Sequence, residues 1–160
     1  MTGNELAVKM VFDRWNALLK NCDAILDAIA DENLQKEIAP GKNRGVYLLG
    51  HLIAVHDDML TLLNLGEKEH ADLFELFVKS PDRAVSEIPS VQELKMIWKK
   101  QVELLATKFE SLSADNWFEK HTAVADEDFI KEPHRNKLNI IITRTTHLAY
   151  HVGQLVLLKQ

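Results

Sequence analysis

With one cysteine in 160 residues, Cys22 has no partner within the chain, so no internal disulfide holds this protein together. Such a chain suits a reducing compartment, and the thiol is expected to fill core space. Basic charge is also short. Nineteen Lys and Arg against 24 Asp and Glu give a formal charge of −5, and the cations are spread along the chain rather than gathered in a stripe. That argues against the phosphate-neutralising groove of a nucleic-acid-binding protein. No uncharged apolar run approaches the ~20 residues of a membrane-spanning helix. The first residues, Met1-Thr2-Gly3-Asn4-Glu5, lack the basic start and apolar core of an export signal. Together these absences predict a soluble cytoplasmic protein without nucleic-acid or membrane partners.

What the chain does have is helical periodicity. Its 46% hydrophobic content suffices for one globular domain, residues 1–160, with a core that needs no structural metal, so any metal should be functional. Val11, Trp15, Leu18, Cys22, Ile25 and Ile29 recur at steps of four and three, which predicts a first long helix from Glu5 to Ala30. At 1.5 Å per residue it is close to ~40 Å long, which suits a bundle. Ala39-Pro40-Gly41 marks a connecting loop. A second helix starts at Arg44 or Gly45 and is expected to end at Gly66, where glycine can take a left-handed cap. Ser90-Val91-Gln92-Glu93 is a capping box opening a third helix that runs to about Leu112. Asn136 caps a fourth, with a core stripe of Leu138, Ile141, Ile142, Thr145, Leu148, Ala149, Val152 and Val156. Between these helices lie two long connections. In residues 67–89, Leu73, Phe74, Leu76 and Phe77 suggest a short helix broken by Ser80-Pro81-Asp82, serving as a lid over one end of the bundle. In residues 113–135 short strands or another lid are expected.

The chemistry concentrates in the last helix. His147 and His151, four residues apart, lie on one face about one turn from each other, so both imidazoles can reach one cation. Two ligands do not hold an ion at cellular concentrations, so a third donor is expected from another helix. His51 and His56 on the second helix are separated by about 140° and cannot readily serve the same ion. His56 lines up with the apolar Leu49, Leu52, Met59, Leu60 and Leu63, as a buried histidine bonded to a backbone group. His51 shares its strip with Val55, Asp58 and Leu62 and is the better ligand. Asp58, two turns along, is a candidate outer partner or extra ligand. Arg144, His147, His151 and Gln154 form a polar stripe beside the core stripe, in which Arg144 can orient an anionic substrate and Gln154 can support the site.

Gly50-His51-Leu52 in the second helix and His147-x-x-x-His151-x-Gly153-Gln154 in the last resemble the DinB/YfiT-like superfamily of metalloenzymes, and the order of helices matches over nearly the whole chain. The resemblance implies an all-α fold, a four-helix bundle running up-down-down-up with long loops between helices. It implies that His51, His147 and His151 bind a divalent metal, zinc or nickel first, with iron and cobalt also compatible with such ligands. It also implies a homodimer. Relatives include thiol-dependent transferases that use low-molecular-weight thiols and mycothiol-dependent maleylpyruvate isomerases. One departure is Val152, at a position that is frequently basic in the family.

These readings lead to a metal-dependent enzyme with a small-molecule substrate, an S-transferase using a low-molecular-weight thiol. The alternatives are a metal-dependent hydrolase and a non-catalytic metal- or small-ligand-binding bundle acting as a dimer. An open cleft reaching the ion favours the enzyme, because catalysis needs a free coordination position.

Overall fold

The structure, a computed structural model, describes residues 1–159. Four long helices form the frame: α1 (Gly3–Ala28), α3 (Gly45–Leu62), α5 (Val91–Glu110) and α7 (Lys137–Leu155). Short helices α2 (Asp31–Leu34), α4 (Ala71–Phe74) and α6 (Asp126–Lys131) lie in the connections. There is no sheet among the described residues, only the isolated bridges Glu37–Arg44 and Lys120–Asn136, so no strands form in residues 113–135.

Cross-helix contacts give the directions. Phe12 packs on Phe109 while Lys99 pairs with Asp27, so α1 and α5 run oppositely. At α2, Asp31 pairs with Lys95 near the start of α5 and Leu34 lies against Gly45 at the start of α3. Gly66, just past the end of α3, lies against Lys108 near the end of α5, so α5 and α3 run in the same direction. A Cβ on Gly45, at the start of α3, would meet Leu158, just beyond the end of α7, which sets those two antiparallel. The order is therefore up-down-down-up.

Local chemistry explains the helix starts. Thr2 and Glu5 form a capping box that begins α1 at Gly3, ahead of the expected Glu5, and the helix ends at Ala28 rather than Ala30. Ser90 and Glu93 cap α5, and the Asn136 side chain accepts from the Asn139 N–H to cap α7.

The end of α3 corrects the sequence expectation. Gly66 does not cap it. Asn64 takes the left-handed conformation at φ 58°, and the Leu65 N–H bonds the Leu60 carbonyl at 2.8 Å while the Asn64 N–H bonds that of Thr61 at 3.2 Å. That is a complete Schellman closure, built on asparagine, which enters this region more readily than most residues other than glycine.

One core unites the frame. Trp98 and Trp117 are enclosed, with Trp117 edge-on to Phe12 and Phe109. Cys22 is wholly buried, and burial pushes its thiol up to about 12, with the neighbouring Asp23 adding to the shift, so it stays protonated as core filling. On α7 the expected stripe is partly wrong. Leu138, Ile141, Leu148 and Val152 are buried and joined by Leu155, but Ile142, Ala149 and Val156 face outward. The inward positions they vacate belong to the adjacent, polar stripe, and His151 is buried with the core residues.

Residues 67–82 are a strap along α3, not a lid over the end of the bundle. At its start the Asp57 carboxylate accepts from the N–H groups of Glu69 and His70 at 3.1 and 2.9 Å. At its far end Asp82 accepts from the Arg44 guanidinium at 2.7 Å and from the Arg44 N–H at 2.8 Å, and the Tyr47 hydroxyl donates to the Ser80 carbonyl at 2.7 Å. Between them α4 widens into a π-helical turn, Glu75–Lys79, closed by the Ser80 N–H on the Glu75 carbonyl.

A candidate metal centre between the second and last long helices

His147 and His151 project from one face of α7, as their spacing dictates, and α3 brings His51 opposite them. The Nε2 of His147 lies 3.1 Å from that of His51 and 3.0 Å from that of His151. Donor atoms of the three rings all fall within 4.8 Å of one another.

The outer nitrogens determine which tautomers are present. His51 Nδ1–H donates to the Phe77 carbonyl at 2.8 Å, because a carbonyl can only accept. His151 Nδ1–H donates to Gln154 Oε1 at 2.7 Å. Both rings therefore present bare Nε2 lone pairs to the space that His147 Nε2 also faces. A single proton can bridge only one of these close N···N approaches, whereas a cation satisfies all three lone pairs. Bonds from zinc to imidazole are about 2.0–2.1 Å, and two such bonds near a right angle put their nitrogens about 3 Å apart, the spacing found here. The residues fit a divalent ion with open coordination positions.

Electrostatics agree with the donor role. Burial holds the His51, His147 and His151 imidazoles below their ordinary range, His147 at about 4. For His147 the neighbouring rings of His151 and His51 and the charge of Arg144 add to burial. Neutral imidazole is the form that binds metal.

The Phe77 carbonyl was not legible in the sequence, since any residue carries one. It is free because the last carbonyls of a helix lack partners within it, and the π-helical turn aims this one at His51. Gly50 is the signal that could have revealed it. A Cβ there would lie 2.6 Å from the Phe77 ring, so only glycine lets the strap approach α3 so closely. Gly50→Ala is expected to cost about 1–3 kcal/mol from overpacking, more than the ~1 kcal/mol that alanine gains in a helix. By displacing the Phe77 carbonyl it should also weaken metal binding by about tenfold or more. Denaturation and metal titration of the one variant check both effects, and unchanged metal affinity would separate the strap from the site.

The other expected residues are placed as follows. Gln154 touches the site through His151. Asp58 does not reach the histidines. It pairs with Lys68 of the strap, because its position two turns along α3 carries it past the cluster. His56 is fully enclosed between Trp15 and Trp98, with ring centroids 5.1 and 5.3 Å away, and neither nitrogen has the expected backbone partner. Arg144 is half-buried, with its Nε enclosed and unpartnered. Val152, at the frequently basic position, packs into the core. A shallow hollow of about 510 Å³ lined by Ile142, Thr143, Thr146, His147 and Tyr150 opens onto His147 from outside.

A family profile described as the DinB superfamily matches residues 11–155, a span that includes all three histidines and all four long helices but for the first residues of α1. The chain belongs to the DinB superfamily. No curated protein matches it significantly. In this DinB-superfamily protein the histidine cluster can hold a metal ion, and no helix of the described residues is long and apolar enough to cross a membrane.

Proposed function

We propose that this protein is a divalent-metal-dependent enzyme that activates a small nucleophile, a low-molecular-weight thiol, for attack on an electrophilic small molecule. His51, His147 and His151 are the ligands, and zinc or nickel is the ion. The observation that carries this reading is the convergence of three Nε2 atoms from two helices, two of them on rings whose Nδ1–H is already engaged. A divalent ion held by three neutral imidazoles keeps its full charge and acidifies a coordinated thiol or water at neutral pH.

The protein supplies position and access. The Phe77 carbonyl and Gln154 hold two rings against rotation and make them better ligands. The hollow beside His147 admits small molecules from the α7 side, with Tyr150 exposed at its rim. In the reaction the thiol releases its proton to solvent water, its sulfur forms a bond to the electrophilic carbon, and the leaving group departs with the bonding pair.

The test is a paired assay on zinc- and nickel-loaded protein, with cysteine plus 1-chloro-2,4-dinitrobenzene for thioether formation and 4-nitrophenyl acetate for hydrolysis. Metal-dependent thioether formation that disappears in His151→Ala supports the transferase. Ester turnover without thioether formation moves the assignment to a hydrolase. Stoichiometric metal with neither reaction across a panel of thiols and electrophiles replaces the enzyme by a binding module.

A further inference from the structure

The three candidate ligands are not supported alike. His51 and His151 each donate their outer N–H to an acceptor, Phe77 and Gln154. His147 does not. Its Nε2 faces the other two rings, so a ring bound through that atom carries its proton on Nδ1, and this nitrogen is buried without a partner. A metal-bound histidine ordinarily donates that proton to something.

Arg144 lies three residues before His147, hence on the same face of α7. Its Nε–H is likewise enclosed and unpartnered. The one charge that favours its protonated form, Asp58, is paired with Lys68. The guanidinium is close enough to hold His51, His56 and His147 toward their neutral forms. His56, wholly buried on the inner side, has no partner for either nitrogen. Donors without acceptors thus gather around a cation whose nearby anion, Asp58, is shared with Lys68. A second cation at the ligands would repel Arg144 unless an anion lay between them.

We propose that Arg144 and the Nδ1–H of His147 form an oxyanion pocket that grips a carboxylate group of the substrate beside the metal centre. One guanidinium balances a monoanion, and its fork matches the two oxygens of a carboxylate, with the imidazole N–H as a further donor. A phosphate dianion would leave charge uncompensated in a half-buried site. As a substrate contact the pocket rests on the metal-enzyme reading above; as an anion site it is measured apart from it.

The experiment titrates sodium acetate, with acetamide as the uncharged control, into metal-free and zinc-loaded protein labelled with ¹⁵N-histidine. The His147 Nδ1–H resonance and the metal content are read on the same samples. In the zinc-loaded form acetate is expected to shift that resonance saturably. In the metal-free form, where the His147 proton sits on Nε2 between the rings, acetate is expected to draw it to Nδ1 and make that resonance appear; acetamide does neither. Arg144→Gln should weaken acetate binding by about tenfold or more, and Arg144→Lys, which keeps the charge but loses the fork, by less. Acetate affinity unchanged in Arg144→Gln would assign the carboxylate to the metal or the surface and overturn the pocket. If that variant does not fold, an equal response to acetate and acetamide in the parent overturns it. One equivalent of metal with no acetate response removes the pocket and leaves the enzyme reading. An acetate response in protein that binds no metal keeps the pocket as an anion site and removes the enzyme reading.

Discussion

Replacing His151 by alanine is expected to abolish stoichiometric metal binding while the bundle stays helical. Protein purified without chelator or added metal should carry about one equivalent of a divalent ion by elemental analysis. His151 supplies one of three converging lone pairs, and its removal leaves His51 and His147, one imidazole from each of two helices. Two such ligands do not retain an ion in competition with water and cellular chelators. Helicity survives because the main packing mass, Trp15, Trp98, Trp117 and the leucines of α3, is untouched. Metal added to the stripped parent should raise its melting temperature, since the ion binds the folded state only, and should not raise that of His151→Ala. Gln154→Ala separates orientation from ligation, with retained binding weakened about 10–100-fold. A parent that neither carries metal nor takes it up on titration would sink the metal-enzyme reading.

Acid is expected to destabilise the metal-free protein steeply, with His56 as the largest single cause. Its folded-state value is held at about 3, chiefly by burial, with smaller contributions from Arg144, His147 and His51. The unfolded value is near 6.5, so the folded state keeps this ring neutral while the unfolded chain takes up a proton. The contribution is complete above about pH 6.5 and is lost as pH falls toward 3, at about 1.4 kcal/mol per pH unit. By pH 4 the loss amounts to about 3 kcal/mol, a sizeable part of the 5–15 kcal/mol that typically stabilises a domain. The lowered values of His51, His147 and His151 act in the same direction. His56→Leu should flatten the dependence. It should also be at least as stable as the parent at pH 7, since it removes two buried nitrogens without partners from between Trp15 and Trp98. Denaturant titrations at pH 7 and 4.5 measure both effects, and identical slopes in parent and variant would remove His56 from the account.

The site was legible in the sequence to the extent that it is local. His147 and His151 share a turn, and helix geometry alone puts them together. The third ring, His51, was chosen over His56 by its strip on α3 and then by the resemblance in Gly50-His51-Leu52, although 96 residues separate it from His147. The reading failed where one position competes with the next. Asp58 was taken toward the site, yet both it and Asp57 hold the strap, because a step of about 100° around α3 turns Asp57 inward to the strap backbone and Asp58 to the Lys68 side chain. Gly66 yielded to Asn64 for a similar reason, since both residues can take the left-handed conformation and the hydrogen bonds from Asn64 and Leu65 decide which does.

The amino-acid sequence by itself determined the four long helices, two of their caps as read and the chelating pair on α7, because periodicity, capping and i,i+4 spacing act within a few residues. Only the tertiary structure decided that the strap presents the Phe77 carbonyl to His51 and that His147 and Arg144 keep unpartnered donors, whereas Gln154 meets His151 by i,i+3 spacing within α7. Those outcomes depend on a backbone carbonyl that every residue possesses and on how closely α3, α7 and the strap approach. Approach is settled by the packing of the whole core.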